Sequence, residues 1–348
     1  MKKSLIALAA LAATSAFAQS SVQIVGTFDP SIVSQKNTYG NGNSVSQSFL
    51  RNNSQGTSQI TFKGTEDLGG GLKASFLYEN DFDTRFDARG AGAGASATAY
   101  SGGVTQGSTN FGSGGGEQFL SLSGGFGALA LGAQNTPTLA AQAQNPFGTK
   151  IGGGFGLLNS GKVRNNNSVV YTSPTVSGFT ASYAYAFKTT ADANGSVAVG
   201  AVGDISDVGL TYANGPLAVM FTSYKVAAFG TTLAKTDNNF TATYMLGTAK
   251  LGVANFTQKQ TGAVDKVGQQ VFATVPLTGT WDLRASYGSV NDKTAADKNS
   301  KISAIGVKNT LSKTTSIYAR YVQQTNDNAA LTAAKKTTST LVGMQTNF

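Results

Sequence analysis

The chain has 348 residues, and none of them is His or Cys. Without these residues it cannot form a Ser–His–Asp triad, a His base, a His-ligated metal site, a disulfide or a thiolate nucleophile. The formal charge is +9, from 26 basic and 17 acidic residues, but no run of five basic residues occurs. We therefore expect a protein that is not an enzyme and that binds no cofactor, metal or nucleic acid.

The N-terminal segment has the pattern of a secretory signal peptide. Two lysines precede an apolar stretch over residues 5–13, and an Ala-Phe-Ala cleavage site ends at Ala18. We expect residues 1–18 to be removed and residues 19–348 to form one domain outside the cytoplasm. No later stretch reaches the roughly 18 apolar residues of a membrane-spanning helix, so any crossing of a membrane would use strands.

Hydrophobicity alternates with a period of two through most of the mature chain. From Phe179 to Phe187, one face of the segment carries Phe, Tyr and an Ala residue. The other face carries Thr180, Ser182 and two further small side chains. Residues 72–79 alternate in the same way. This period indicates half-buried strands, in a soluble sandwich or in a membrane barrel.

The connectors favour the membrane barrel, because short and long ones alternate. The short connectors are residues 67–71, 124–127, 174–178, 214–216, 246–248 and 311–313. The long connectors are residues 36–54, 81–116, 134–163, 188–203, 227–236, 291–299 and 324–336. Sixteen strands are predicted, with starts near Ser21, Ser58, Leu72, Glu117, Ala128, Ser168, Phe179, Asp204, Leu217, Asp237, Lys250, Val267, Thr280, Ser300, Thr314 and Thr337. The fold class is thus an all-β, 16-stranded antiparallel transmembrane barrel with short periplasmic turns and long external loops.

Three sequence features carry a resemblance to a known family. They are the block Lys-Gly-Thr-Glu-Asp-Leu-Gly-Gly-Gly at residues 63–71, the Asn-Asn-Asn-Ser-Val segment at 165–169, and the terminal Phe348. With them the chain resembles the trimeric general-diffusion porins of β-proteobacteria along its whole length. The resemblance implies a homotrimer in the outer membrane of a Gram-negative bacterium, in contact with lipid and lipopolysaccharide. It also implies that the assembly machinery reads Phe348 and that the third long loop, residues 134–163, folds inward to narrow the channel.

The candidate constriction combines basic loop residues with wall residues whose alternation places them inside. No Asp or Glu occurs between residues 118 and 191. Similar porins carry Arg where this chain has Gln59 and Glu117, so a weaker anion preference is expected. Alternation also places Asn166 inside. The candidate residues are Arg164, Lys150, Lys162, Gln59, Lys63, Glu117, Arg284 and Arg320.

The expected function is a water-filled channel for passive diffusion of small hydrophilic solutes and ions, with mild anion selectivity. An alternative is a substrate-specific channel for organic anions or sugars. A third class, an outer-membrane enzyme or adhesin, is disfavoured because the chain has no His to act as a base near neutral pH.

Overall fold

The computed structural model describes residues 21–85, 115–153, 164–188, 203–229, 233–294, 299–327 and 334–348. The predicted signal peptide, residues 1–18, lies outside these ranges. Among the described residues, no helix is both long enough and apolar enough to span a membrane.

Nearly all of the described chain is strand. The first nine segments are β1 (Ser21–Phe28), β2 (Pro30–Tyr39), β3 (Ser44–Asn52), β4 (Gln59–Gly69), β5 (Leu72–Asp81), β6 (Gln118–Gly124), β7 (Gly127–Asn135), β8 (Arg164–Thr172) and β9 (Phe179–Ala186). The remaining nine are β10 (Ile205–Asn214), β11 (Leu217–Val226), β12 (Lys235–Leu246), β13 (Ala249–Gln260), β14 (Val264–Pro276), β15 (Trp281–Asp292), β16 (Ser300–Thr310), β17 (Thr315–Asn326) and β18 (Ala334–Asn347). A short helix, α1 (Pro137–Gln142), follows β7.

These segments form a closed antiparallel barrel of sixteen strands. The segments β1 and β2 are separated only by Asp29 and make one barrel strand, and β3 and β4 make the next. The ring closes because β18 pairs with β2 and also with the end of β1. The predicted strand number is confirmed.

Side chains alternate between the two faces of the wall, as the sequence pattern predicted. Large apolar side chains point outward and stay exposed on the isolated barrel, for example Leu120, Phe179 and Ile305. Residues of the other face, such as Ala184 and Ala304, are buried because the lumen is filled at their level. An apolar exterior around a polar interior is the arrangement of a barrel that lies in a membrane.

One connection at the loop end of the barrel, the end opposite the short Gly-rich turns, differs from the prediction. The expected long connector at 36–54 is instead the strand β2 continuing to Tyr39, a tight turn and the strand β3. The turn closes with hydrogen bonds from Tyr39 N to Asn43 O (2.8 Å) and from Gly42 N to Tyr39 O (3.0 Å). Strand ends that are polar on both faces resemble loops in sequence, and this similarity explains the error.

Candidate functional site

Loop 3, the connection between β7 and β8, enters the lumen directly after β7. Thr136 caps the helix α1 by accepting a hydrogen bond from Leu139 N on its side-chain oxygen (3.0 Å). Thr138 then donates twice to the carboxylate of Asp207 on β10, through its N–H and its hydroxyl, at 2.8 Å each. Both Thr138 and Asp207 are fully buried. The start of loop 3 is thus fixed to the inner wall.

The middle of loop 3 follows the inner wall strand by strand. Thr241 on β12 donates to the carbonyl of Ala141 at 3.2 Å, and Lys250 on β13 donates to Oε1 of Gln144 at 3.2 Å. Arg284 on β15 donates to the carbonyl of Pro146 at 3.1 Å. Each contact gives a polar group of the loop a hydrogen-bond partner on the wall.

The tip of loop 3 packs against β16 and β17. Phe147 is 2% exposed and forms an apolar cluster with Ile302, Ala304 and Val322. The guanidinium of Arg320 lies 4.3 Å from the centre of the Phe147 ring. The described part of loop 3 therefore covers the inner wall from β10 to β17, and the predicted inward fold is confirmed.

The sheet order places β5 to β8 across the lumen from this covered wall, and a cluster of charges lies there. Arg164 on β8 forms an ion pair with Glu79 on β5, with 3.4 Å between Nη2 and Oε1. Gln59 donates to the other oxygen of Glu79 at 2.5 Å. Glu117 accepts from Asn135 N at 2.8 Å. We call Gln59, Glu79, Asp81, Glu117 and Arg164 the wall cluster.

Lys150 joins the loop-3 tip to this side of the lumen. Its ammonium donates to the hydroxyl of Thr57 at 2.7 Å. Burial lowers the pKa of Lys150, while the nearby carboxylates of Asp81 and Asp29 act in the opposite direction. The Lys150 side chain therefore lies close enough to the wall cluster to interact with the Asp81 carboxylate.

The structure divides the predicted site residues into two groups. Arg164, Lys150, Gln59 and Glu117 lie at or beside the wall cluster. Arg284 and Arg320 face the lumen as predicted, but their guanidinium groups hold loop 3. Alternation along a strand shows only that a side chain faces the lumen. It does not show whether its charge is free or is bound to a loop.

Two further predicted residues do not take part in the cluster. Lys63 shares the inner face of β4 with Gln59 and is exposed. In the sheet it lies opposite Gln23 on β1 and Leu77 on β5, nearer the short turns. Lys162 lies outside the described residues.

The alternation of β8 breaks close to Arg164. Asn165, rather than the predicted Asn166, faces inward: it is 3% exposed and accepts from the hydroxyl of Tyr224 at 3.2 Å. The pairing of β7 with β8 shifts register between Gly132 and Gln134, and Asn167 has a φ of 52°. This bulge explains why strict alternation failed at Asn166.

Glu79 and Asp81 were not predicted as site residues. The signal for Glu79 was present, since the polar face of residues 72–79 already placed Lys73, Ser75 and Glu79 together. What the sequence did not contain was the contact between Arg164 and Glu79, which are 85 positions apart.

The terminal residue closes the barrel. Phe348 exchanges two backbone hydrogen bonds with Gly26, of 2.9 and 3.0 Å. Its ring lies over Gly26, where an added Cβ would be 2.4 Å from the ring carbon Cζ. A side chain at position 26 would therefore displace the ring.

Comparisons with known proteins agree with this architecture. A family model described as "Gram-negative porin" matches residues 4–329. Outer membrane porin protein 32 of Delftia acidovorans is 30% identical, over 95% of this chain and 91% of that protein. The solved anion-selective porin from Comamonas acidovorans is similar with a TM-score of 0.73 and 26% identity, over 95% of this chain and all of that one. A trimer form of OmpT from Vibrio cholerae shares the fold, with a TM-score of 0.63 and 16% identity over 94% of this chain and 99% of that one.

Proposed function

Because this chain belongs to the Gram-negative porin family, we propose that its inward-folded loop and wall cluster make a weakly anion-selective passage. The protein is an outer-membrane porin and not an enzyme. Small hydrophilic solutes and ions would cross the barrel passively, through the space between loop 3 and the wall from β5 to β8.

The observation that carries the proposal is the distribution of charge around this space. Lys150 and Arg164 supply positive charge, and Glu79, Asp81 and Glu117 supply negative charge beside them. A narrow passage with low-dielectric walls focuses the field of such charges onto the ions that pass. The carboxylates offset much of the field of Arg164, and this favours a mild preference over a strong one.

The sign of the preference is argued from the rest of the protein. The chain has a formal charge of +9, of which Lys2 and Lys3 of the proposed signal peptide supply two units, and the similar porin from Comamonas acidovorans is called anion-selective. Lys250 and Lys308 also lie on the inner face, and both are partly exposed. We expect anions to pass more readily than cations at low salt.

We also propose that the porin is a homotrimer. The outward faces of β1, β2 and β18 carry adjoining exposed apolar side chains, which are Val22, Ile24, Ile32, Val342 and Met344. A second copy could cover this face in a closed symmetric assembly. A single species of monomer mass in mild detergent would contradict the trimer.

Outer-membrane lipid is the second proposed partner. By alternation, five exposed lysines point outward close to the loop end of their strands: Lys36, Lys225, Lys259, Lys301 and Lys336. Ammonium groups at this level suit the phosphates of lipopolysaccharide. Replacing three of them with Gln should weaken co-purification of lipopolysaccharide, while replacing the lysine of the short turn, Lys313, should not.

Two further proposals concern export and assembly. We propose that residues 1–18 are cleaved as a signal peptide, which the mass of the mature protein would test. We also propose that the assembly machinery reads Phe348. Its ring is 54% exposed on the barrel, so an aromatic end is accessible.

The experiment for the main proposal is a planar-bilayer recording with a tenfold KCl gradient. A zero-current potential whose sign shows that anions permeate more readily supports the proposal. A potential of the opposite sign, which shows that cations permeate more readily, contradicts it. The substrate-specific alternative is separated by adding organic anions or sugars. Block that rises with concentration and saturates would favour that alternative, because it shows a binding site in the passage.

A further inference from the structure

One barrel strand is interrupted where it faces the loop-3 tip. Residues 53–58, which we call the inward segment, separate β3 from β4. Asn53 has a φ of 61°, a value that residues other than Gly seldom adopt. Ser54 and Ser58 are fully buried. An interruption that is buried and internally bonded is a built feature of the wall.

Asp29, the residue between β1 and β2, holds the inward segment. Its Oδ2 accepts hydrogen bonds from Gln55 N (2.5 Å) and Gly56 N (2.8 Å). Its backbone N–H donates to the hydroxyl of Ser58 at 3.0 Å. Its other carboxylate oxygen accepts from the Tyr318 hydroxyl at 2.5 Å. Asp29 is fully buried, so these bonds form away from bulk water.

The inward segment lies on the lumen side of the wall. Gly56 sits against Gln345, with only 2.3 Å between the position of an added Cβ and the Gln345 amide nitrogen. Gln345 belongs to the inner face of β18, with Leu341 and Gly343. The segment therefore occupies space inside the barrel.

Arg320 joins the inward segment to the loop-3 tip. On one side it donates to the Ser54 carbonyl (3.0 Å) and to Oε1 of Gln55 (2.7 Å). On the other side it donates to the carbonyl of Ile151 and stacks on Phe147. Arg320 is 3% exposed, so its charge is committed to these contacts. A planar guanidinium can serve several acceptors at once, and a lysine ammonium cannot reproduce this geometry.

A second contact joins the same two elements. Lys150 at the loop-3 tip donates to Thr57 in the inward segment at 2.7 Å. Both elements thus fix the position of this ammonium group. Loop 3 carries Lys150 on its backbone, and the inward segment accepts the hydrogen bond through the Thr57 hydroxyl.

We infer that the inward segment is a second part of the pore constriction and that Arg320 is a positioning residue, which holds this segment and loop 3 together and so places Lys150. The inference deepens the proposed function and rests on it. It adds a specific claim, that residues 53–58 border the open passage and that the charge of Arg320 itself does not act on passing ions.

The first test places a single cysteine in a chain that has no other. Thr57→Cys should react in the folded channel with thiosulfonate reagents, and either a cationic or an anionic reagent should lower the conductance. The two reagents should shift the zero-current potential in opposite directions. Ser303→Cys, on the exposed outward face of β16, is the control, and its conductance should not change.

The outcomes of this test are distinct from failure of the channel itself. If Thr57→Cys forms conducting channels but does not react, or reacts without a loss of conductance, the inward segment does not border the passage. Wild-type protein that forms no channels would instead overturn the proposed function.

The second test keeps the charge and removes the geometry. Arg320→Lys should shift the zero-current potential in the same direction as Lys150→Gln and should raise the open-channel noise. Gln55→Ala, which removes one acceptor only, should give a smaller shift of the same sign. Lys313→Arg on an exposed short turn is the matched control. Folding is checked by the heat-dependent gel mobility of the barrel. If a folded Arg320→Lys or Gln55→Ala channel keeps the wild-type potential and noise, Arg320 does not position Lys150.

Discussion

The ion pair between Arg164 and Glu79 allows the selectivity to be changed in both directions by single substitutions. Glu79→Gln removes one negative charge beside Arg164 and keeps the size of the side chain. Arg164→Glu replaces the positive charge with a negative one. Because the two charged atoms are 3.4 Å apart, both substitutions act at the same place in the passage, and their effects should have opposite signs.

The size of the effect follows from Coulomb's law. A unit charge about 5 Å from a passing ion changes its energy by about 0.8 kcal/mol in water, and screening at 0.1 M salt reduces this to about 0.5 kcal/mol. Removing the negative charge lowers the energy of an anion in the passage by this amount and raises that of a cation equally. Glu79→Gln should therefore raise the local ratio of anions to cations about fivefold. Arg164→Glu changes two charges and should lower the same ratio about 30-fold. At 1 M salt the Debye length is about 3 Å, and the effect of Glu79→Gln should fall below about twofold.

The assay is the zero-current potential across a tenfold KCl gradient, measured at low and at high mean salt. Glu66→Gln is the control, since Glu66 lies on the exposed part of β4 next to the short turn. If both substitutions leave the potential unchanged while the channels conduct, the wall cluster does not set selectivity.

Three more predictions concern the elements around this cluster. Asp207→Ala removes both hydrogen bonds from Thr138, and this costs about 3–6 kcal/mol if each bond to a charged group contributes about 1.5–3 kcal/mol. Single-channel recordings should then show a higher and noisier conductance. Unchanged recordings would mean that loop 3 is held elsewhere. Since burial lowers the pKa of Lys150, raising the pH should deprotonate it before an ordinary lysine, and the anion preference should fall in alkaline solution. Lys150→Arg should abolish this pH dependence. A dependence that persists in this variant would belong to another group. Gly26→Val should displace the ring of Phe348 and reduce the yield of heat-resistant barrel on gels, whereas equal yield would show that the ring can move at no cost.

The barrel itself could be predicted from the sequence because its signal is local. Each strand carries its own alternation, and most short turns have their own Gly residues, as at residues 67–71. The exceptions are also local in origin. On β3, Ser44, Ser46 and Ser48 share one face, and Gln47 and Arg51 share the other with Phe49, so neither face is uniformly apolar and neither reveals the strand.

The arrangement of loop 3 could not be predicted, because its contacts join distant parts of the chain. Thr138 and Asp207 are 69 positions apart, and Arg320 and Ser54 are 266 positions apart. Alternation showed that Arg320 faces inward but could not show that Phe147 and the inward segment cover it. The same limit applies to Arg164, whose partner Glu79 lies on a strand that is not its neighbour.

The most direct test of the whole account is the single-channel conductance of the purified protein over a wide range of KCl concentrations. A water-filled passage predicts discrete conductance steps that rise with the conductivity of the bulk solution, with a modest excess at low salt from the fixed charges of the constriction. A conductance that saturates at low salt, or membranes that stay silent in the presence of folded barrels, would contradict passive diffusion through an open pore.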